Sequence, residues 1–453
     1  MRGYQYNLLT AVLLMAFTGA IVIAIMNNKG IDETVIWSSA GIIASLTCII
    51  CGCIIYNERT SNLTRYRDKY LGGGSDKDFF SNYKASVKIR LAVIGVLIAL
   101  VLILCMLELS VGVNYFKMTD VFRLIWQHLQ GMEYEPGTPD WWGDLILWNI
   151  RLPKVLVAII AGMALAIGGA VMQSVVKNPL ADPYTTGISS GAVFGVCLGL
   201  ILGLTVGGTG QFGLILNAFL FSLIPAAVMI MVSRISSSSP VTIILVGTAV
   251  SSIFGSFSTL IMSIADESSL KETFVWEVGS LAGAGWSWIP LMFTITLIGS
   301  VFLYFTSSKL NLLMAGDNEA KALGLNVDNY RMLCLILLSF MTASVVSYIG
   351  IIGFLGLVTP HIIRMFIGSD TRYVIPASAV LGAAILLAAD FISTNIGIND
   401  LPVGVVMSFI GGPMFLLLVI RNRREVWDRW TTASLSENTA ERERKRSLSS
   451  RPC

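Results

Sequence analysis

Few side chains in this sequence could bind an ion or take part in catalysis. The 453 residues contain no G-x-x-x-x-G-K-[ST] loop that would hold nucleotide phosphates, no H-E-x-x-H and no pair of Cys-x-x-Cys motifs. Only two His occur, which argues against a His-built metal centre. Cys48, Cys51 and Cys53 lie in an apolar run without His or acid, which favours buried thiols over metal ligands. The sequence therefore predicts no catalytic residue, metal or cofactor on this chain.

Two acids lie inside apolar stretches. Asp390 is in the middle of one and Glu108 is near the end of another. An unpaired acid at membrane depth costs about 2.5 to 3.5 kcal/mol on insertion scales, so Asp390 is expected to face protein or water. A helix-packing hydrogen bond is the favoured interpretation of Asp390. The series of buried carboxylates that a proton- or sodium-coupled carrier needs is absent from the sequence.

The composition is that of a membrane protein, since 55% of the residues are hydrophobic and only 13% are charged. Runs long enough to span a bilayer as helices recur along the whole chain. The formal net charge of +3 is too small to suggest a nucleic-acid partner. We therefore predict an all-α integral membrane protein, a polytopic helical bundle with lipid as its immediate neighbour.

The apolar runs divide the chain into four parts. Residues 1–56 hold two accessory transmembrane helices, near 7 to 26 and 35 to 56, and 57–90 form a polar cytoplasmic linker. Residues 91–424 form the core, and 425–453 form a polar tail that we expect to be disordered. The core has ten candidate spans: near 91 to 111, 154 to 175, 187 to 206, 212 to 233, 241 to 263, 288 to 307, 331 to 350, 353 to 367, 374 to 396 and 402 to 420.

The basic residues predict the orientation, because Lys and Arg in short loops stay on the cytoplasmic side. One set of loops is rich in them, and it includes Lys177, Arg234, Lys309, Lys321, Arg331, Arg364 and Arg372. The opposite loops carry few, among them Arg151 and Lys154. Both termini are therefore placed in the cytoplasm. The segment "WWGDLILWNIRLPK" (141–154) is placed outside, where its Trp residues suit a helix at the membrane interface.

The most unusual segment is a polar stretch between two apolar ones. In "VKNPLADPYTTGISSGA" (176–192) two prolines, an Asn, an Asp and a Lys precede a run of very small residues. Glycine then recurs at every fourth position, at Gly187, Gly191, Gly195, Gly199, Gly203 and Gly207. On a helix this row forms an oblique ridge without side chains, into which a neighbouring helix can press. Packing is the favoured role for most of them, and Gly187 and Gly191 are candidates for lining a pathway.

Two further segments interrupt the spans on the cytoplasmic side. The loop "AGDNEAKALGLNVDNYR" (315–331) has helical character with Gly324 as a stop signal. This short helix could lie on the membrane surface, or a soluble partner protein could bind it. In "IGIIGFLGLVTPHIIRMFIGSD" (349–370), Gly350, Gly353, Gly356 and Pro360 predict a tight re-entry and a bent helix.

Several long motifs together resemble one known family. The stretches "RLPKVLVAIIAGMALAIGGAVMQSVVKNPLADPYTTGISSGA", "GDNEAKALGLNV", "GFLGLVTPHIIRMFIGSD" and "LPVGVVMSFIGGPMFLLL" are similar, in order and spacing, to the FecCD-type permeases of ABC importers for iron chelates and cobalamin. The resemblance runs from about Arg90 to Arg424. It implies a homodimer of ten-helix subunits in the cell (inner) membrane, two separate ATPase subunits that bind ATP and Mg²⁺, and an extracytoplasmic binding protein that delivers a metal chelate such as a ferric siderophore, haem or cobalamin.

The resemblance also assigns roles to residues. Glu319, Ala320, Lys321, Ala322, Leu323, Gly324 and Leu325 are similar to the coupling helix that enters a groove on the ATPase. Arg151 and Lys154 match the outer basic positions that pair with acids of the binding protein. The translocation path and gate are assigned to Asn178, Pro179, Leu180, Asp182, Pro183, Gly187, Gly191, Gly353, Gly356 and Pro360. The segment "ADFISTNIGINDLP" departs from the family, because it lacks the Arg that often follows the acid equivalent to Asp390.

Two other classes of protein remain open at this point. A secondary active transporter would move substrate down an ion gradient without an ATPase. A membrane structural or receptor subunit would not move substrate even in the presence of an ATPase.

Overall fold

The computed structural model describes residues 76–112, 116–208, 210–235, 239–395 and 401–416, and over these ranges it contains helices and loops but no strand. In chain order the helices are α1 (Asp76–Ser110), α2 (Met118–Leu129), α3 (Pro139–Ile146), a π-helical turn (Leu147–Arg151), α4 (Leu152–Val175), a 3₁₀ turn (Pro183–Thr186), α5 (Ile188–Leu200), α6 (Gln211–Ile235), α7 (Pro240–Met262), α8 (Glu267–Val278), α9 (Ile289–Phe305), α10 (Ser307–Ala315), α11 (Asp317–Ala322), α12 (Val327–Ile349), α13 (Leu355–Ile367), α14 (Thr371–Asn395) and α15 (Val403–Leu416).

Each core stretch predicted to span the membrane falls on a helix. In the described part of the chain, six helices are long and apolar enough to cross a bilayer, or seven if α9 and α10, bent by 59°, form one span. Helices α5, α13 and α15 are apolar but shorter. The two predicted amino-terminal helices and the tail lie outside the described residues.

Helix α1 begins earlier than predicted. It starts at Asp76, inside the stretch that we predicted to be a linker up to residue 90. No glycine or proline occurs between Gly74 and Arg90, so nothing in this stretch stops a helix that continues out of the membrane.

Helices α4 and α14 form the centre of the bundle. In the most apolar 18-residue stretch of each span, 83% of the residues are buried for α4 and 89% for α14, against 17% for α1 and 22% for α7 at the periphery. Small residues allow this central contact. A Cβ atom on Gly162 would lie 2.6 Å from the carbonyl oxygen of Gly382, and one on Gly382 would lie 2.4 Å from that of Gly162. The two backbones therefore touch, as is typical of helices packed inside membranes.

The glycine row of α5 is shorter than predicted. The helix ends at Leu200, and Gly203 and Gly207 lie in the following loop with φ of +68° and +85°. Gly187 precedes the helix with φ of +85°. Only the middle glycines belong to the helix, because the others adopt left-handed conformations that glycine tolerates without strain.

The two ends of the bundle differ in chemistry. We call one the basic end, which carries Arg90, Lys177, Lys309, Lys321, Arg364 and Arg372 together with α10 and α11. We call the other the tryptophan end, which carries Trp126, Trp141, Trp148, Trp276, Trp286 and Trp288 together with α2, α3 and α8. Helices α2 and α8 are too short and polar to appear as spans in the sequence. Both are exposed caps over the tryptophan end.

Candidate functional site

The short helix α11 projects from the basic end. The helix predicted in this loop is confirmed at Asp317–Ala322, and Gly324 follows it with φ of +84°. Ala320 is fully buried and fixes the helix to the bundle. Its sequence neighbours Glu319 and Lys321 are exposed on the two flanks of the helix. Leu323, at the end of the helix, is 69% exposed, a large apolar side chain on a polar tip that suits a protein partner.

The polar break forms a rigid turn at the same end. Asn178 accepts a hydrogen bond from the backbone N–H of Leu180 at 2.9 Å, and Asp182 accepts one from that of Tyr184 at 2.9 Å. Burial raises the pKa of Asp182 to about 6, against the opposing effect of the Tyr184 hydrogen bond. Both side chains hold the loop conformation, and Leu180 between them is 38% exposed.

Gly187 and Gly191, which we predicted to line the path, lie on packed surfaces of this chain. A Cβ on Gly187 would lie 2.9 Å from the Pro225 side chain, and one on Gly191 would lie 2.5 Å from the carbonyl oxygen of Phe221. Both glycines are buried against α6. Their role is close helix packing, because any side chain would separate α5 from α6.

Gly356 and Pro183 are also packing residues. The carbonyl oxygen of Gly356 lies only 1.7 Å from where a Cβ of Gly169 would be, and the ring of Pro183 fits against Gly356. Pro360 is buried inside α13. Gly353 differs, since a Cβ there would meet nothing within 4 Å. Of these predicted path residues, only Gly353 has free space beside it.

Replacing Gly169 by Ala is expected to destabilise the protein by about 2 kcal/mol or more, because the new methyl group would collide with backbone that cannot move independently. The thermal unfolding midpoint in detergent measures the effect. Gly353→Ala is the matched control and should leave the midpoint nearly unchanged. Equal midpoints for both variants would mean that α4 and α13 are not in contact at this point.

Arg151 and Lys154, the predicted docking residues, both have partners inside the protein. Arg151 ends the π-helical turn, donates to the carbonyl of Leu109 at 2.7 Å and stacks over the ring of Phe116. The ammonium of Lys154 lies 3.0 Å from a carboxylate oxygen of Asp390, which is 1% exposed. This ion pair joins α4 to α14 in the interior.

Glu108 extends the same cluster. It is buried on α1, 6% exposed, and lies within hydrogen-bonding reach of Asp390 and close to Lys154 and Arg151. The cluster therefore joins α1, α4 and α14 near the tryptophan end. The prediction that Asp390 serves in helix packing agrees with this placement, and its partner is a charged residue from another helix.

Helix α7 carries an exposed row of hydroxyl groups, which we call the hydroxyl stripe: Thr248, Ser252, Ser256, Thr259 and Ser263. At about 100° per residue these positions fall within about 80° of one another around the helix. Each hydroxyl donates to a carbonyl three or four residues earlier, so its acceptor lone pairs remain available outward. The stripe gives one outward-facing helix a polar surface.

No group of three or more His, Cys, Asp or Glu side chains among the described residues could hold a metal ion. The described residues thus offer an exposed row of hydroxyls on α7, a protruding helix α11 and a packed interior.

Comparison with known proteins decides the family. The model of the FecCD transport family matches residues 100–421. The chain belongs to the FecCD transport family. It is 35% identical over 282 residues to the haemin transport system permease of Yersinia pestis, and the match covers 62% of this chain and 84% of that one. It is 30% identical over 287 residues to the vitamin B12 import permease of Vibrio cholerae, covering 62% and 85%.

A solved structure has the same fold. It is an inward-facing conformation of an ABC transporter of metal-chelate type, with a TM-score of 0.64 and 28% identity, and the match covers 73% of this chain and 99% of that one. This FecCD-family chain is therefore a membrane transport permease.

Three features of the FecCD-family chain escaped sequence reasoning. The hydroxyl stripe could have been found from the spacing of Ser and Thr between 248 and 263. The exposure of Leu323 and the pairing of Lys154 with Asp390 leave no signal in a single sequence, because both depend on how distant segments pack.

Proposed function

We propose that this chain is the permease subunit of a binding-protein-dependent ABC importer that carries an iron chelate, haem or cobalamin into the cytoplasm. Two copies form a homodimer around one path, and two ATPase subunits bind ATP and Mg²⁺ at the basic end. The basic end faces the cytoplasm, as the positive-inside rule requires. A binding protein delivers the chelate to the tryptophan end.

The hydroxyl stripe carries the proposal. Most of α7 is not buried, and a helix face that contacts only lipid is typically apolar, whereas this face carries five hydroxyls. The stripe suits a water-filled path that two copies of α7 enclose. Hydroxyls that are already partly satisfied along their own helix bind a large cargo weakly, which favours passage over retention.

The exposure of α11 and of the residue after it supports an ATPase contact at this segment. Helix α11 exposes Glu319 and Lys321, Leu323 directly after the helix is exposed too, and Ala320 anchors the helix to the bundle. A protruding apolar side chain with flanking charges is typical of a contact that enters a groove. We assign Glu319 to Leu325 as the segment through which ATP-driven closure moves the membrane helices.

Docking of the binding protein is assigned to the tryptophan end. Arg151 remains the proposed docking residue, because it is only partly buried. Lys154 contributes mainly by holding α4 in place through Asp390.

Reconstitution tests the proposed function. The full chain is placed in vesicles with its ATPase, and ATP-dependent uptake is measured with haemin, a ferric hydroxamate and cyanocobalamin, each presented with the binding protein. We expect one of these three compounds to be taken up, and only when ATP is present. Uptake by the chain alone, driven by a proton or sodium gradient, would instead identify a secondary transporter, and a lack of flux under every condition would identify a structural or receptor subunit.

The path is tested separately by Ser252→Trp. An indole in the middle of the hydroxyl stripe should narrow a path bounded by two copies of α7 and lower uptake by roughly tenfold or more. Ile298→Trp on α9 is the control, because Ile298 is 61% exposed on a helix without such a stripe. Unchanged uptake by Ser252→Trp would place the path elsewhere.

A further inference from the structure

The α11 helix is tied by charge to the loop between α4 and α5. The ammonium of Lys177 lies 2.6 Å from a carboxylate oxygen of Asp317, the first residue of α11. The same carboxylate accepts two hydrogen bonds from Arg331 of α12, at 2.8 and 3.0 Å. Asp317 is thus shared between an exposed loop and the base of a central helix.

The two partners of Asp317 differ in burial. Arg331 is 1% exposed and belongs to the rigid interior, whereas the side chain of Lys177 is 29% exposed. Lys177 adopts the left-handed conformation with φ of +51°, which is rare for a residue other than glycine. The loop therefore holds a strained conformation while its side chain reaches α11.

The same loop touches the helix that carries the hydroxyl stripe. A Cβ on Gly247 of α7 would lie 2.0 Å from the carbonyl oxygen of Thr185, and one on Gly187 would lie 3.2 Å from the hydroxyl of Ser251. The 3₁₀ turn Pro183–Thr186 is therefore in backbone contact with α7. Pro179 and Pro183 restrict the backbone of the loop between Lys177 and this contact.

We propose that the Lys177–Asp317 ion pair is a positioning link that transmits movement of α11 through the α4–α5 loop to α7. The inference rests on the proposed function, in which α11 receives the ATPase. It goes further by naming the route: α11, Asp317, Lys177, the stiff loop, and then Thr185 and Gly187 against Gly247 and Ser251. Breaking the link should leave the fold and the ATPase contact intact but uncouple the path from ATP.

The ion pair is stable in the pH range of the cell. Burial acts to raise the pKa of Asp317, but the hydrogen bonds from Lys177 and Arg331 outweigh it and hold the pKa below its usual value. A depressed carboxyl pKa stabilises the structure above the unfolded value of 3.8 and loses that contribution only as the pH falls below it. The link is therefore always formed near neutrality and is not a pH switch.

Lys177→Met tests the link in the full chain assembled with its ATPase. Spin labels at Ser252→Cys, in a background without the seven native cysteines, report the distance between the two copies of α7 with and without a non-hydrolysable ATP analogue. The native link should give an ATP-dependent shift in this distance. In Lys177→Met the shifted population should fall about tenfold, a typical coupling between sites, while ATPase affinity is unchanged. Lys177→Arg should restore the shift, because it keeps the charge.

Matched variants separate the link from a general loss of charge or of fold. Lys309→Met removes an exposed lysine of the same end, whose contact is the ring of Tyr330, and should keep the full shift. Asp317→Asn also removes the counter-charge of buried Arg331, so Lys177→Met is the decisive variant. A full shift in Lys177→Met would overturn the link and leave the proposed function standing. No ATPase binding and no shift in the unmodified chain would overturn both.

Discussion

Lys154→Met is expected to destabilise the protein by about 3 kcal/mol or more, because it leaves Asp390 buried without its ammonium partner. Asp390 is 1% exposed and its carboxylate lies 3.0 Å from the Lys154 ammonium. Glu108 lies beside it, so the variant also leaves two acids together in the interior. Asp390→Asn should cost less, because Lys154 then still faces Glu108.

Thermal unfolding of the purified chain in detergent measures these differences. The double variant Lys154→Met with Asp390→Asn should recover much of the loss, because it replaces both charges. Arg123→Met is the control at the same end of the bundle. Its ion pair with Asp140 has both side chains more than 40% exposed, so its loss should cost less than about 1 kcal/mol. If Lys154→Met and Arg123→Met have the same unfolding midpoint, the Lys154–Asp390 ion pair does not stabilise the fold.

Leu323→Asp is expected to weaken binding of the ATPase by about 30-fold, the effect of losing about 2 kcal/mol at an apolar contact that dominates an interface. Leu323 is 69% exposed and follows the last residue of α11, so the substitution leaves the fold of this chain intact. Titration of the ATPase against the chain in nanodiscs gives the dissociation constant.

Ser308→Asp is the control for Leu323→Asp, because it adds the same charge to an exposed position on α10 at the basic end. Its dissociation constant should stay close to that of the unmodified chain. Equal affinities for Leu323→Asp and the unmodified chain would remove α11 from the ATPase contact. Chelate uptake should fall in parallel with the affinity, since the proposed coupling to ATP runs through this contact.

Much of the fold followed from apolar runs and from glycine and proline. The core spans, the turn at Pro179 and Pro183 and the α11 helix ended by Gly324 were all visible, because membrane length and backbone chemistry are local properties. Contacts between segments far apart in the chain could not be predicted in the same way. Gly187 and Gly191 are candidates for lining the path because they follow the proline break, and their contacts with Pro225 and Phe221 of α6 leave no signal in the sequence.

The sequence by itself determined that this is a helical membrane protein without a nucleotide loop, and its motifs pointed to the family. The tertiary structure decided which charged and small residues meet. Lys154 lies against Asp390, Asp317 joins Lys177 to Arg331, and the hydroxyls of α7 remain uncovered. The physical reason is that charge pairing and burial depend on distances between segments far apart in the chain, which hydropathy and spacing do not record.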